Sequence, residues 1–336
     1  MTRNGFARQM VAWLLVSLLL VSCGGAPAVS EPATTAIPPA TPPPATPPAT
    51  PLAEEALEAL TPEEVVRILF AALQSTEPGA VDDQFISTYF TDYYSTTEFR
   101  PEMVGLYASA ELAFHEPIEI DENNVIVKVD VSEAGYRLSI VVFVKRAPTW
   151  KVDALRSLAL PGFVHMLRDE LTALRNPSPE EQRQLQDVNR LYLTDEELAE
   201  AFRQNKALFV EAAECFYAQD EIMAVWGPFL AEGDEGYTIQ MDGETVPVAA
   251  LDGAWAQYGV ERETLELLVR AVDQLDLYCI ERDYVYESNI HFSKGGILDN
   301  SLGYIYAPDD DVPPIDHREY FYIERVDEHW YIYRTT

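Results

Sequence analysis

The chain has 336 residues, 56 of them Asp or Glu against 23 Lys or Arg, for a formal net charge of −33. A field of that sign repels phosphate backbones and anionic headgroups, which excludes nucleic acid as a partner and a body lying flat on an acidic membrane. Hydrophobic residues at 48% and aromatic residues at 11% supply a sizeable core and argue against wholesale disorder.

Arg3 and Arg8 precede an uncharged run from Met10 to Val21. Crossing a bilayer takes ~20 apolar residues, so this shorter run reads as the apolar region of a secretory signal. It ends in Leu20-Val21-Ser22-Cys23: a branched apolar residue, a tolerant position, a small residue, then Cys. That order resembles the lipobox of bacterial lipoproteins. The resemblance implies removal of residues 1–22, lipid attachment to the Cys23 thiol, and acylation (palmitate) of the freed amine. Two or three acyl chains anchor stably where one binds only marginally. The expected place is the cell membrane, lipid-anchored and facing the extracytoplasmic side, with the membrane itself as a partner. A plain signal peptide with an incidental Cys is the competing reading.

Residues 23–53 are rich in Pro, Ala and Thr, as in Ala40-Thr41-Pro42-Pro43-Pro44-Ala45-Thr46-Pro47-Pro48. Pro fixes φ and removes backbone donors, so a disordered polyproline-type tether of ~3.1 Å per residue is expected. Docking of such a run onto an SH3-like module competes with the stalk reading.

A first α+β domain is expected over residues 54–160. Thr61-Pro62-Glu63-Glu64 has the chemistry of a capping box, with Val65, Val66, Leu69, Phe70 and Leu73 at helical spacing behind it. A second helical stretch covers about 82–94. The period then changes to two, with Val125, Val127, Val129 and Val131 alternating with Ile126, Lys128 and Asp130. Tyr136 to Lys145 and Trp150 to Ala154 complete an antiparallel meander.

Helices followed by long paired strands ending in Trp150-Lys151-Val152-Asp153 resemble the NTF2-like (SnoaL-like, cystatin-like) cone. The resemblance covers about a third of the chain. It implies either a non-catalytic domain or an isomerase/dehydratase-type enzyme acting on a small apolar substrate. Such an enzyme needs a carboxylate beside a phenol or His in an apolar interior. Asp92, Tyr89, Tyr93, Tyr94, Tyr107, His115, Glu119 and Asp130 are the candidates, and no spacing among them fixes a geometry.

A connecting helix is expected over 161–175, followed by a second α+β domain, 176–336, with helices packed on an antiparallel meander. Ser178-Pro179-Glu180-Glu181 and Thr194-Asp195-Glu196-Glu197 start helices. In the second of these, Asn205 interrupts the apolar stripe and reads as a buried amide. Asp242-Gly243 signals a hairpin, and Pro247 marks its second strand as an edge. Glu261 to Leu275 is a further helix. Five strands follow, from Leu277 to Arg334, with Lys294-Gly295-Gly296 as one connection.

Those last strands are dense in rings. Tyr304, Tyr306, Tyr320, Tyr322, Tyr331 and Tyr333 are either sheet core or a tyrosine-lined surface for a peptide or glycan. With Cys23 taken by lipid, Cys215 and Cys279 are either one disulfide or two buried free thiols. Asp309-Asp310-Asp311 lacks the spacing of a calcium loop, and the five His show no zinc pattern, so no metal and no cofactor is expected. The function that fits is a non-catalytic ligand- or partner-binding lipoprotein. An NTF2-like enzyme and an accessory lipoprotein of an envelope complex are the alternatives.

Overall fold

The structure, a computed structural model, describes residues 57–335 except 78, 92–104, 106, 134–135, 159–161, 229–235, 242–243, 249–258 and 298–299. The lipobox with Cys23, the whole Pro/Ala/Thr-rich tether 23–53, and the candidates Asp92, Tyr93 and Tyr94 lie outside the described residues. Residues 52–336 make one compact unit, an α+β arrangement of helices on two antiparallel sheets.

Helix α1 (Pro62–Gln74) starts where Thr61 accepts the Glu64 amide and the Glu64 carboxylate accepts the Thr61 amide. Its stripe Val65, Val66, Leu69, Phe70 and Leu73 is fully buried. Helix α2 (Asp83–Tyr89) is shorter than its pattern suggested and ends at Phe90. The first sheet joins β1 (Glu111–Phe114), β2 (Ile118–Asp121), β3 (Asn124–Glu133), β4 (Tyr136–Arg146) and β5 (Trp150–Ser157) in the order β1-β3-β4-β5, with β2 also on β3.

Alternation assigns the faces of that sheet. Phe114 sits opposite Val129, and its ring meets Phe70 of α1 edge-on at 5.9 Å, so the Val129 face is the helix-covered one. Ile126, Lys128 and Asp130 point the other way. Ile126 and Lys128 are nevertheless buried, because the C-terminal half of the chain covers them.

That half contributes α3 (Gly162–Ala173), α4 (Pro179–Arg190), α5 (Asp195–Tyr217), β6 (Ile222–Trp226), β7 (Thr238–Met241), β8 (Glu244–Pro247) and α6 (Arg262–Gln274). It continues with β9 (Cys279–Arg282), β10 (Ile290–Ile297), β11 (Asn300–Tyr306), β12 (Tyr320–Asp327) and β13 (Trp330–Thr335). The eight strands run in the order β12-β13-β11-β10-β9-β6-β7-β8, with β8 and its Pro247 at an edge. The expected meander is interrupted twice: β12 lies outside β13, and β6 joins β9.

Among the described residues the buried side chains form three clusters, one on the first sheet and one on each face of the second. Phe321 and Tyr322 of β12 belong to the core of the first sheet, which ties the halves together. Asn205 also differs from expectation. It is exposed, leaves helical geometry at φ −117° and ψ 15°, and kinks α5 while its amide donates to the Ala201 carbonyl at 2.9 Å.

Among the described residues, the six tyrosines do not form the expected exposed surface on the second sheet. Tyr304, Tyr320, Tyr322, Tyr331 and Tyr333 are buried and Tyr306 is half-buried. Tyr304 packs on Phe202 and Phe209 of α5, with its hydroxyl on the Leu198 carbonyl at 2.8 Å. Tyr306 lies on the same side, its ring 5.1 Å from that of Trp330. Tyr320, Tyr331 and Tyr333 face the other way, under the β11–β12 connection through Val312 and Ile315. A connection folded over the second face gives the sheet two cores, which alternation alone does not reveal.

Cys215 and Cys279 are both free thiols. Cys215 on α5 faces the Thr264 carbonyl of α6 at 3.9 Å, while Cys279 is buried within β9 opposite Ser293. Burial pushes both thiols above their ordinary value.

Candidate functional site

A cleft of about 450 Å³ opens where the Lys128 face of the first sheet meets the corner between α4 and α5. Its floor follows from strand register. Ala113, Asp130 and Ser139 form one cross-strand row on β1, β3 and β4, and Ser132 pairs with Arg137 in the next. Its roof is the Leu191–Thr194 turn with Glu196 and Glu197 of the first turn of α5, closed by Leu158 and Arg334.

The floor is a connected polar group. Ser139 Oγ donates to Asp130 Oδ1 at 2.5 Å, and His115 Nε2 lies 2.6 Å from Asp130 Oδ2. Both His115 and Asp130 are about one-third exposed, so the pair is open to a ligand. Glu196 reaches toward them from α5. Ligand atoms of His115, Asp130 and Glu196 all lie within 4.8 Å of one another, a set that suits a cation.

Behind the cleft lies a buried ion cluster. Asp195 accepts from Lys128 Nζ at 2.8 Å and from Arg334 Nε at 2.8 Å, and Arg334 also donates to the Leu193 carbonyl at 2.7 Å. Burial disfavours all three charges, but their mutual attraction wins: Asp195 is held below and Lys128 above the ordinary value. The Lys128 ammonium also sits 5.5 Å from the Tyr322 ring centroid. One residue each from β3, α5 and β13 thus fixes the wall against which the cleft forms.

Family models, curated proteins and solved structures provide no match to the chain. What the cleft can do is therefore read from its own chemistry. Carboxylates (Asp130, Glu196, Glu197), hydroxyls and two arginines (Arg137, Arg334) line it together with Leu138, Leu158, Leu191 and Leu193, and His115 joins through its contact with Asp130.

The expected candidates are distributed unevenly. His115 and Asp130 come together, whereas Glu119 is exposed on β2, and Tyr89 and Tyr107 pack against the core on the α1 and α2 side. Asp130 lies on the opposite face from α1, so it does not enter the helix-covered interior. Sequence reading missed Ser139, Glu196 and the Lys128–Asp195–Arg334 cluster. One signal was available: a lysine in the middle of a Val-rich strand, which calls for a buried partner.

Proposed function

We propose that this chain is a lipid-anchored extracytoplasmic lipoprotein whose folded body is a non-catalytic receptor for a small ligand with a positively charged head and an apolar body. The observation that carries this reading is the cleft, where Asp130 on the floor and Glu196 on the roof converge within 4.8 Å and four leucines add to the lining. Arg334 pairs with Asp195, and Lys128 pairs with Asp195 while lying 3.9 Å from Glu196, so a ligand cation would share Glu196 with Lys128 and meet Asp130 at its one-third-exposed edge. The anchor rests on Arg3, Arg8, the Met10–Val21 run and Cys23, with residues 24–53 as a spacer.

We further infer that residues 54–160 form an NTF2-like cone, a reading supported by α1 and α2 preceding a five-stranded antiparallel sheet. An enzyme of that type would hold its carboxylate inside the helix-covered interior. Asp130 points away from it, which favours binding over catalysis.

Calorimetric titration of the full-length protein in detergent with primary alkylamines of increasing length tests the reading. Saturable binding that tightens with chain length and weakens at least tenfold in the Asp130→Asn, Glu196→Gln protein is expected. Absence of saturable binding, or equal binding by the double variant, would sink it.

A further inference from the structure

A second site, which shares Leu191 with the cleft, is built around Lys294, one of five lysines in the chain. The β10–β11 register steps from Ser293↔Gly303 to Gly295↔Leu302, so Lys294 is the extra residue of a β-bulge. Bulges re-aim a side chain, and this one turns a lysine into the protein rather than out to water. Lys294 is only 6% exposed. Gly295 beside it lets β10 approach α4 closely: a Cβ there would come within 3.3 Å of Leu191 Cδ2.

The lysine lines a cavity of about 220 Å³ with walls that include Val164, Leu167, Val188, Leu191 and Leu277. Its Nζ donates to the Leu275 carbonyl at 2.5 Å and lies 3.4 Å from the Asp276 carbonyl, at the C-terminus of α6. The nearby carboxylates are otherwise engaged. Arg190 Nε bonds Asp276 Oδ1 at 2.9 Å, and its Nη1 bonds Asp187 Oδ1 at 2.7 Å. Among the described residues no carboxylate pairs with the Lys294 ammonium. Tyr278 completes the polar rim.

A buried ammonium to which no carboxylate is hydrogen-bonded loses its proton easily. Burial lowers Lys294 to about 8, with Asp276 opposing the shift and Arg190 adding to it. A neutral amine can still donate one N–H to the Leu275 carbonyl and keep a lone pair for an electrophile.

We propose that Lys294 is a nucleophilic amine that captures small apolar aldehydes as imines in this cavity. The amine lone pair attacks the carbonyl carbon and forms the C–N bond, and the carbonyl oxygen takes up a proton as a carbinolamine. The hydroxyl then leaves as water while the C=N bond forms. Ammonium plus aldehyde gives protonated imine plus water, with no oxidation or reduction. The apolar walls select the substrate, and the bulge holds the amine against them.

Reductive trapping on the full-length protein tests this. Benzaldehyde and cyanoborohydride are added across a pH series, and labelled lysines are located by peptide mass mapping. Lys294 is expected to label at least tenfold faster than the exposed Lys145 and Lys206 at pH 8, with half-maximal rate near pH 8. A pyrene aldehyde, too large for the cavity, is expected to show no such preference. Labelling of Lys294 no faster than Lys145 and Lys206 would overturn the proposal, and so would an equal preference for the pyrene reagent. Both readouts use the unsubstituted protein, so neither depends on a variant folding.

Discussion

Lys128 and Asp195 are 67 positions apart in sequence and meet at 2.8 Å in a site where their side chains are 7% and 3% exposed. Arg334, from the last strand, completes the contact on the other carboxylate oxygen. The cluster joins the two sheets, and its Arg334 lines the cleft, so the cluster fixes that residue of the site.

Removing the shared carboxylate leaves Arg334 on the Leu193 carbonyl and Lys128 with Glu196 at 3.9 Å, both weaker substitutes for the buried pair. Asp195→Ala is expected to destabilise the protein by about 3–5 kcal/mol, and Lys128→Met by less, because Arg334 still satisfies Asp195. Urea denaturation at pH 7 measures both. Asp195 is held below its ordinary 3.8, so its contribution is complete above that pH and is lost as pH falls further.

A second buried acid reports on the far face of the eight-stranded sheet. Asp283 accepts the amides of Val285 at 2.7 Å and Tyr286 at 3.0 Å, with the Tyr320 hydroxyl at 3.3 Å and His291 Nε2 at 3.1 Å. Burial would raise this carboxyl, but His291 and the two amides outweigh it and hold it at about 2 against an ordinary 3.8. Its stabilisation is therefore present above pH 3.8 and fades as pH falls toward 2. Asp283→Ala is expected to lose on the order of 2 kcal/mol at pH 7, with the difference closing in that acid window in parallel denaturation curves.

Gly303 is required by close backbone approach. A Cβ there would lie 2.3 Å from the Phe292 carbonyl oxygen and 2.9 Å from Ser293 Cα, both backbone atoms of the neighbouring strand. Gly303→Ala is expected to cost about 1–3 kcal/mol of stability, measured by thermal unfolding. The same substitution at Gly236, where no atom lies within 4 Å, is expected to change little.

The anchor makes its own prediction. Mass spectrometry of the mature N-terminus is expected to find Cys23 first, carrying acyl chains, and Cys23→Ala is expected to move the protein out of the membrane fraction. An unmodified Cys23, or cleavage elsewhere, would contradict it.

Local chemistry made much of the fold legible. The boxes at Thr61, Ser178 and Thr194 start helices because each cap and its Glu satisfy free amides within one turn. The β7–β8 register brackets Asp242-Gly243 as the hairpin signal requires. Tertiary context decided the rest. Strand β2 alternates Ile118-Glu119-Ile120-Asp121 over only four residues and leaves its isoleucines exposed, and Lys294-Gly295-Gly296 has turn chemistry but sits inside β10, where pairing with β11 overrides it. The cleft was legible only in pieces: His115 and Asp130 stood out as titratable groups, whereas Glu196 was hidden as an ordinary first-turn acid.

A crystal structure of the protein soaked with an alkylamine tests the central claim most directly. The ammonium is predicted within hydrogen-bonding distance of Asp130 and Glu196, with the alkyl chain against Leu191 and Leu193. An amine seated elsewhere, with the cleft unchanged and filled only by water, would contradict it.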